Sequence, residues 1–305
     1  MQRQSSLRQY RVAILLGVFT FLALGLSAQP EDVGVAGIRA PLPSERFEVM
    51  TASELDAHQA ELYAEIIEKL EKARLKEAHK ELVAQAFSNA IVGMPIGATF
   101  RTTKIEEQTG SDRKEDVSDF AVLDTGFIED LEDGTKTPVV DSFTPFNIDR
   151  QIPFNAKRIR VASQNKSEIT FRFIVDVDMD MPAEESSVDF FKDLESLQNM
   201  EWATELTIDK DAKTLKRLSY FLHRPIRKMF LFSVKTLKAE YEFEYFEECG
   251  CRGVKKRTGL IEGSVIILGK MVHRTTETYS DIKCEEPLRF LLPKDHKLEG
   301  FELVF

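Results

Sequence analysis

Over residues 169–181 the chain alternates without a break. Ile169, Phe171, Phe173, Val175, Val177, Met179 and Met181 stand between Thr170, Arg172, Ile174, Asp176, Asp178 and Asp180. A period of two sustained this long rules out a helix and predicts a strand with one dry and one wet face, as in an antiparallel sheet solvated on one side. The same period recurs from Ala98 onward, at 99–107, 120–128, 158–163, 201–209, 215–222, 228–237, 239–247, 263–268 and 270–282. Asp133-Gly134 and Asp209-Lys-Asp211 supply turn chemistry between some of these strands.

Upstream the period becomes helical. Thr51-Ala-Ser-Glu54 reads as a capping box, in which the Thr hydroxyl and the Glu carboxylate satisfy backbone donors at a helix start. Leu55, Leu62, Ile66, Leu70, Ala73, Leu82, Ala86 and Phe87 then fall near one face, with Glu and Lys on the other. The predicted helical segment occupies 51–92, before Gly93 and Pro95, with a break expected between Ala73 and His79 where apolar residues thin out. A shorter helix is predicted at about 184–200, from Pro182 just ahead of it and from Val188, Phe191, Leu194 and Leu197 or Gln198 at helical spacing. The expected fold class is therefore α+β: a curved antiparallel β-sheet, a half-open barrel, with a long N-terminal helix and a shorter helix covering its concave face. Residues 29–50 read as an extended leader, and 93–305 as the β domain carrying the inserted helix.

Arg3, Arg8 and Arg11 precede an apolar run over 12–26, and Leu26-Ser27-Ala28 places small residues where a signal peptidase cuts. At about 1.5 Å of rise per residue, that run falls short of the roughly 30 Å hydrocarbon core. A cleaved signal at 1–28, cut after Ala28, is expected, and with it a periplasmic or otherwise exported location. Its removal leaves 38 basic against 51 acidic residues, a net charge of −13. Nucleic acid is excluded as a partner on that balance.

Cys249, Cys251 and Cys284 are the disulfide candidates. Cys284 can pair with Cys249 or with Cys251, leaving one thiol over, and Cys-Gly-Cys could instead close a small strained ring. Unpaired buried thiols are a further reading, and a metal site would need ligands beyond His273. Asp176-x-Asp178-x-Asp180 has calcium-loop spacing but alternates with apolar residues and lacks the turn glycine, so it reads as the wet face of a strand. The five histidines show no two-His metal spacing, and no nucleophile elbow, phosphate loop or dinucleotide fingerprint occurs. No enzymatic activity, cofactor or metal is expected.

What stands out instead is aromatic residues on the dry face of strand after strand, 22 Phe against one Trp and six Tyr in all. Either a filled core consumes them, or sheet and helices leave an apolar cavity. Phe171, Phe173, Val175, Val177, Met179, Trp202, Leu206, Phe230, Phe232, Tyr241, Phe243 and Tyr245 are the candidates to line it.

Three stretches add a family resemblance: Trp202-Ala-Thr-Glu-Leu-Thr-Ile208-Asp209, then Thr214-Leu215-Lys-Arg217-Leu218, and later Glu277-Thr-Tyr279-Ser280-Asp281. This part of the chain, 201–287, resembles the C-terminal half of exported proteins of the outer-membrane lipoprotein-sorting (LolA-like) superfamily. A strand ending in Ile-Asp, a turn, a strand carrying Arg and Leu, and a late Tyr-Ser-Asp strand make up the shared pattern. The resemblance implies a half-open antiparallel barrel whose cavity holds lipoprotein acyl chains or lipids. It points to a non-enzymatic periplasmic carrier whose partners are lipid or acylated protein and envelope membrane proteins. The alternative is an outer-membrane β-barrel or structural envelope protein, suggested by Phe301, Leu303 and Phe305 alternating up to a terminal Phe.

Overall fold

Alternation over long stretches yields long strands, and these dominate the computed structural model, which describes residues 47–90, 93–139, 142–146, 158–177, 200–228, 232–265 and 269–293. In chain order the elements are β1 (Phe47–Thr51), α1 (Ala52–Leu70), α2 (Glu77–Ser88), β2 (Met94–Pro95), β3 (Thr99–Gln108), β4 (Lys114–Val122), β5 (Phe127–Asp130) and β6 (Lys136–Pro138). They continue with β7 (Ile159–Gln164), β8 (Glu168–Val177), β9 (Met200–Asp209), β10 (Thr214–Leu222), β11 (Ile226–Lys228), β12 (Phe232–Phe246), β13 (Cys251–Val265), β14 (Gly269–Lys283) and β15 (Arg289–Pro293).

The main sheet runs β6-β5-β4-β3-β14-β13-β12-β10-β9-β8-β7, with β11 also on β12. It consists of three antiparallel meanders, β3 to β6, β7 to β10 and β12 to β14, joined where β10 meets β12 and where β14 meets β3. The second junction is long-range in sequence, setting Glu277 opposite Lys104. A small separate sheet, β1-β15-β2, pairs Phe47–Thr51 with Arg289–Pro293.

The Thr51 capping box forms: the Glu54 backbone N–H donates to Thr51 Oγ1 at 3.4 Å, and the Thr51 N–H donates to Glu54 Oε2 at 2.8 Å. α1 buries Leu55, Leu62, Ile66 and Leu70 and packs on α2, β1 and β15. After residues 71–76 the chain resumes as α2, which buries Val83, Ala84, Ala86 and Phe87 and lies against β9 and β10. Buried Lys80 locks the corner, since its ammonium donates to the Glu71 carbonyl at 3.0 Å and to Glu77 Oε1 at 2.8 Å. A cation on a carbonyl just past the last turn of α1 satisfies an acceptor that the helix leaves open.

The expected α+β class with a long N-terminal helix is thereby corrected. β structure dominates, the helical segment is two helices of 19 and 12 residues, and among the described residues the sheet is not closed, ending on β6 and β7. The first helix ends with its cap at Glu71 and the second is capped at Lys76, so the break falls at 71–76, within and just ahead of the stretch where apolar residues thin out. Stretches without visible alternation, above all 251–262, extend the strands instead. The signal at 1–28, the leader up to residue 46 and the helix at about 184–200 lie outside the described residues.

Candidate ligand-binding site

The strand registers assemble a continuous row across one face of the sheet: Val161, Phe171, Leu206, Leu218, Tyr241, Arg257, Glu277, Lys104 and Asp116 stand opposite one another in turn. The row is apolar from β7 to β12 and ionic from β13 to β4. On the other face, Arg172, Glu205, Ser219 and Glu240 form the matching row. There Arg172 Nε donates to Glu205 Oε1 at 2.6 Å and Ser219 donates to Glu240 at 2.9 Å, as befits a wet face.

Phe171, Phe173, Leu206 and Tyr241, all predicted cavity residues, are fully buried, and the His79 ring of α2 sits edge-on to Phe171 with centroids 5.5 Å apart. This section of the dry face is a packed core. Burial also lowers the readiness of His79 to protonate, with Lys76 adding to the effect. Along β12 the aromatic run emerges toward solvent, Phe243 being half-buried and Tyr245 45% exposed. Val175 stands opposite Trp202, and Phe232 opposite Val265. Val177 ends β8, opposite Met200. Met179 and Phe230 lie outside the described residues.

Trp202 occupies a different setting. It stands opposite Leu222, clusters with Leu222 and Val234, and stacks on Tyr220 at 4.5 Å with the planes 15° apart. Tyr220, Ile226 and Leu237 pack against this cluster while keeping part of their surface exposed. Trp202 itself is 5% exposed, and among the described residues its Nε1 is buried without a hydrogen-bond partner. The preceding residue anchors the start of β9: Glu201 accepts from Arg158 Nη2 at 2.5 Å and pairs with Arg224 Nε at 3.0 Å. Arg158, and then Arg224, hold the Glu201 carboxyl below the ordinary carboxylate range.

Sequence reasoning singled out Trp202 but missed its neighbours Tyr220, Leu222, Ile226, Val234 and Leu237. It also missed the buried ionic group beside Tyr241. Arg257 lies 3.4 Å from Glu277, its guanidinium carbon is 3.3 Å from the centre of the Phe143 ring, and Tyr279 donates to Glu277 at 3.3 Å. Burial, and then the Glu277 charge, push the Tyr279 hydroxyl well above its usual range. The Glu277-Thr-Tyr279 motif of the family resemblance is thus a structural polar cluster.

Of the cysteines, Cys249 and Cys284 form the disulfide, with Cα atoms 5.1 Å apart, and Cys251 is a buried free thiol. Burial pushes the Cys251 thiol up to about 12, so it is protonated and poorly nucleophilic at neutral pH. Among the described residues no group of three His, Cys, Asp or Glu is arranged to hold a metal ion, and no helix is long and apolar enough to cross a membrane.

Among solved structures, a LolA superfamily protein from Nitrosomonas europaea aligns over 68% of this chain and 93% of its own, at 9% identity and a TM-score of 0.32. The ywiB protein from Bacillus subtilis aligns over 61% of this chain and 91% of its own, at 8% identity and a TM-score of 0.12. No family profile and no curated protein matches the sequence. At such scores neither structure decides the fold or the ligand.

Proposed function

We propose that this chain is an exported, non-enzymatic carrier or binding protein for an apolar ligand, a lipid or the acyl chain of a lipoprotein. The observation that carries the reading is the uneven cover of the dry face. The ring of Phe171 under α2 and the buried ring of Phe173 are spent on packing, whereas around Trp202 the apolar side chains of Tyr220, Ile226 and Leu237 stay partly exposed. Aromatic and aliphatic groups left half-covered beside a packed core are what a small apolar ligand needs. Each buried methylene contributes about 0.8 kcal/mol, so a twelve-carbon chain supplies on the order of 8 to 10 kcal/mol before ordering costs, which suffices for micromolar binding.

The edges at β6 and β7, open among the described residues, favour this reading over an outer-membrane barrel, which requires a closed sheet. The cover that α2 lays over the dry face at β9 and β10 favours it too, because a barrel's apolar face meets lipid. The test is native mass spectrometry of the exported chain purified without detergent, followed by solvent extraction. A stoichiometric lipid or acylated peptide is expected. A ligand-free mass, together with no uptake of acyl probes, refutes the reading.

A further inference from the structure

We infer that the indole N–H of Trp202 is the recognition donor for a neutral carbonyl oxygen on the ligand, the ester or amide carbonyl that joins an acyl chain to its headgroup. This rests on the carrier reading above and adds to it the chemical class of the contact.

An indole nitrogen donates one hydrogen bond and accepts none, and in buried positions it nearly always finds an acceptor. Here it has none among the described residues, although Trp202 is 95% buried, the complement of its 5% exposure. The fold explains why. β9 lies between β8 and β10, so the main-chain carbonyls on either side of Trp202 are committed to the two ladders. Leu222, Val234, Ile226 and Leu237 offer no side-chain acceptor. The Tyr220 ring is stacked nearly parallel at 4.5 Å, and a ring above the indole face cannot meet an N–H that points outward in the indole plane. Left alone, such a donor is a standing cost, and an acceptor carried in by a ligand removes it.

The apolar surroundings also select the kind of acceptor. A carboxylate or phosphate placed there would be a buried charge facing Leu222, Val234, Ile226 and Leu237, none of which can neutralise it. A neutral carbonyl carries a strong acceptor and no charge. The half-exposed edges of Tyr220, Ile226 and Leu237 give the adjoining acyl chain an apolar surface to follow.

The experiment compares 1-O-dodecanoylglycerol with 1-O-dodecylglycerol, which share chain and headgroup and differ in the carbonyl, by calorimetry on the full exported chain and on Trp202→Phe. The wild type is expected to prefer the ester about tenfold, the worth of one net hydrogen bond. Trp202→Phe is expected to lose the preference, binding ester and ether alike. Trp202 is the one tryptophan in the sequence, so the emission of the wild type reports directly, shifting with the ester and not with the ether. Should the Phe variant fail to fold, that wild-type comparison decides alone. Equal binding of ester and ether by the wild type, or an undiminished preference in folded Trp202→Phe, overturns the inference and leaves the carrier reading standing. Absence of binding by both compounds overturns the inference, and together with a ligand-free mass of the purified chain it overturns the carrier reading as well.

Discussion

Replacing Arg257 by Met is expected to cost about 3 to 5 kcal/mol of folding stability, because it leaves Glu277 as a buried charge without its cation. The geometry sets the scale. The pair is 3.4 Å apart with side chains 8% and 10% exposed. At an effective dielectric constant of about 20 the attraction at that distance is roughly 5 kcal/mol, most of it offsetting desolvation in the intact pair. Removing one partner deletes the attraction and keeps the other's desolvation. Glu277→Gln should cost less, since the amide carbonyl can still accept from Tyr279 and Arg257 keeps its seat over Phe143 at 3.3 Å. In the double variant no stranded carboxylate remains, so the two losses should fall short of additivity by about 2 kcal/mol or more. Urea unfolding of the four chains at neutral pH measures this cycle. Additivity within about 0.5 kcal/mol, or an Arg257→Met loss under about 1 kcal/mol, would refute the claim that the pair is desolvated and coupled.

Phe171→Ala should lose about 3 to 5 kcal/mol by the same urea assay, since its ring is fully buried under α2, and a neutral result would mean the ring faces an open cavity. Gly253→Ala should lower stability by about 1 to 3 kcal/mol, because a Cβ there would stand 2.4 Å from the Pro145 carbonyl oxygen and 2.5 Å from the Phe246 ring; thermal melting checks it, and an unchanged midpoint would show the 142–146 crossing to be loose. Cys249→Ser opens a link between residues 35 apart and should cost the oxidised chain about 4 kcal/mol on the loop-entropy estimate, with no comparable loss when wild type and variant are compared under reductant. Asp209 accepts from the Ala212 N–H and from Lys216, which holds its carboxyl below the ordinary value of 3.8. A depressed folded-state value means stability present above that pH and lost as pH falls below it, so Asp209→Asn should flatten the acid limb of a melting-temperature profile, and an unchanged limb would discount the turn's contribution.

How far the fold was legible follows the range of the interactions involved. Phe171, Phe173, Leu206 and Tyr241 fall on one face because alternation is a property of each strand alone, and their shared burial follows. Whether that face is filled or hollow depends on which helix lands on it, and no local pattern in 51–92 announces that α2 sets His79 against Phe171. Strand boundaries were misplaced where the ladder is irregular. The predicted strand at 120–128 straddles a turn at Gly126, whose φ of 82° marks the reversal between β4 and β5. From residue 232 to 246 the strands predicted at 228–237 and 239–247 form one continuous β12, whose alternation slips at a bulge between Val234 and Thr236, while Lys228 ends β11.

Arg257 concentrates the same lesson. It ends a Lys255-Lys256-Arg257 run within β13, of which only the stretch from residue 263 onward is predicted from alternation. A second bulge shifts the register between Glu242/Lys256 and Phe243/Val254, so Lys255 is the extra residue and the inward phase changes there. From that point Arg257 points to the dry face, between Tyr241 on β12 and Glu277 on β14, with Phe143 across it. Each of those partners is remote in sequence, and a buried cation is tolerable only once all of them are in place. Trp202 is the converse case: its place on the dry face, as a candidate to line a cavity, was legible from alternation, but the isolation of its N–H arises only when β8, β10 and the Tyr220 ring close around it, and the function argued for it lives in that closure.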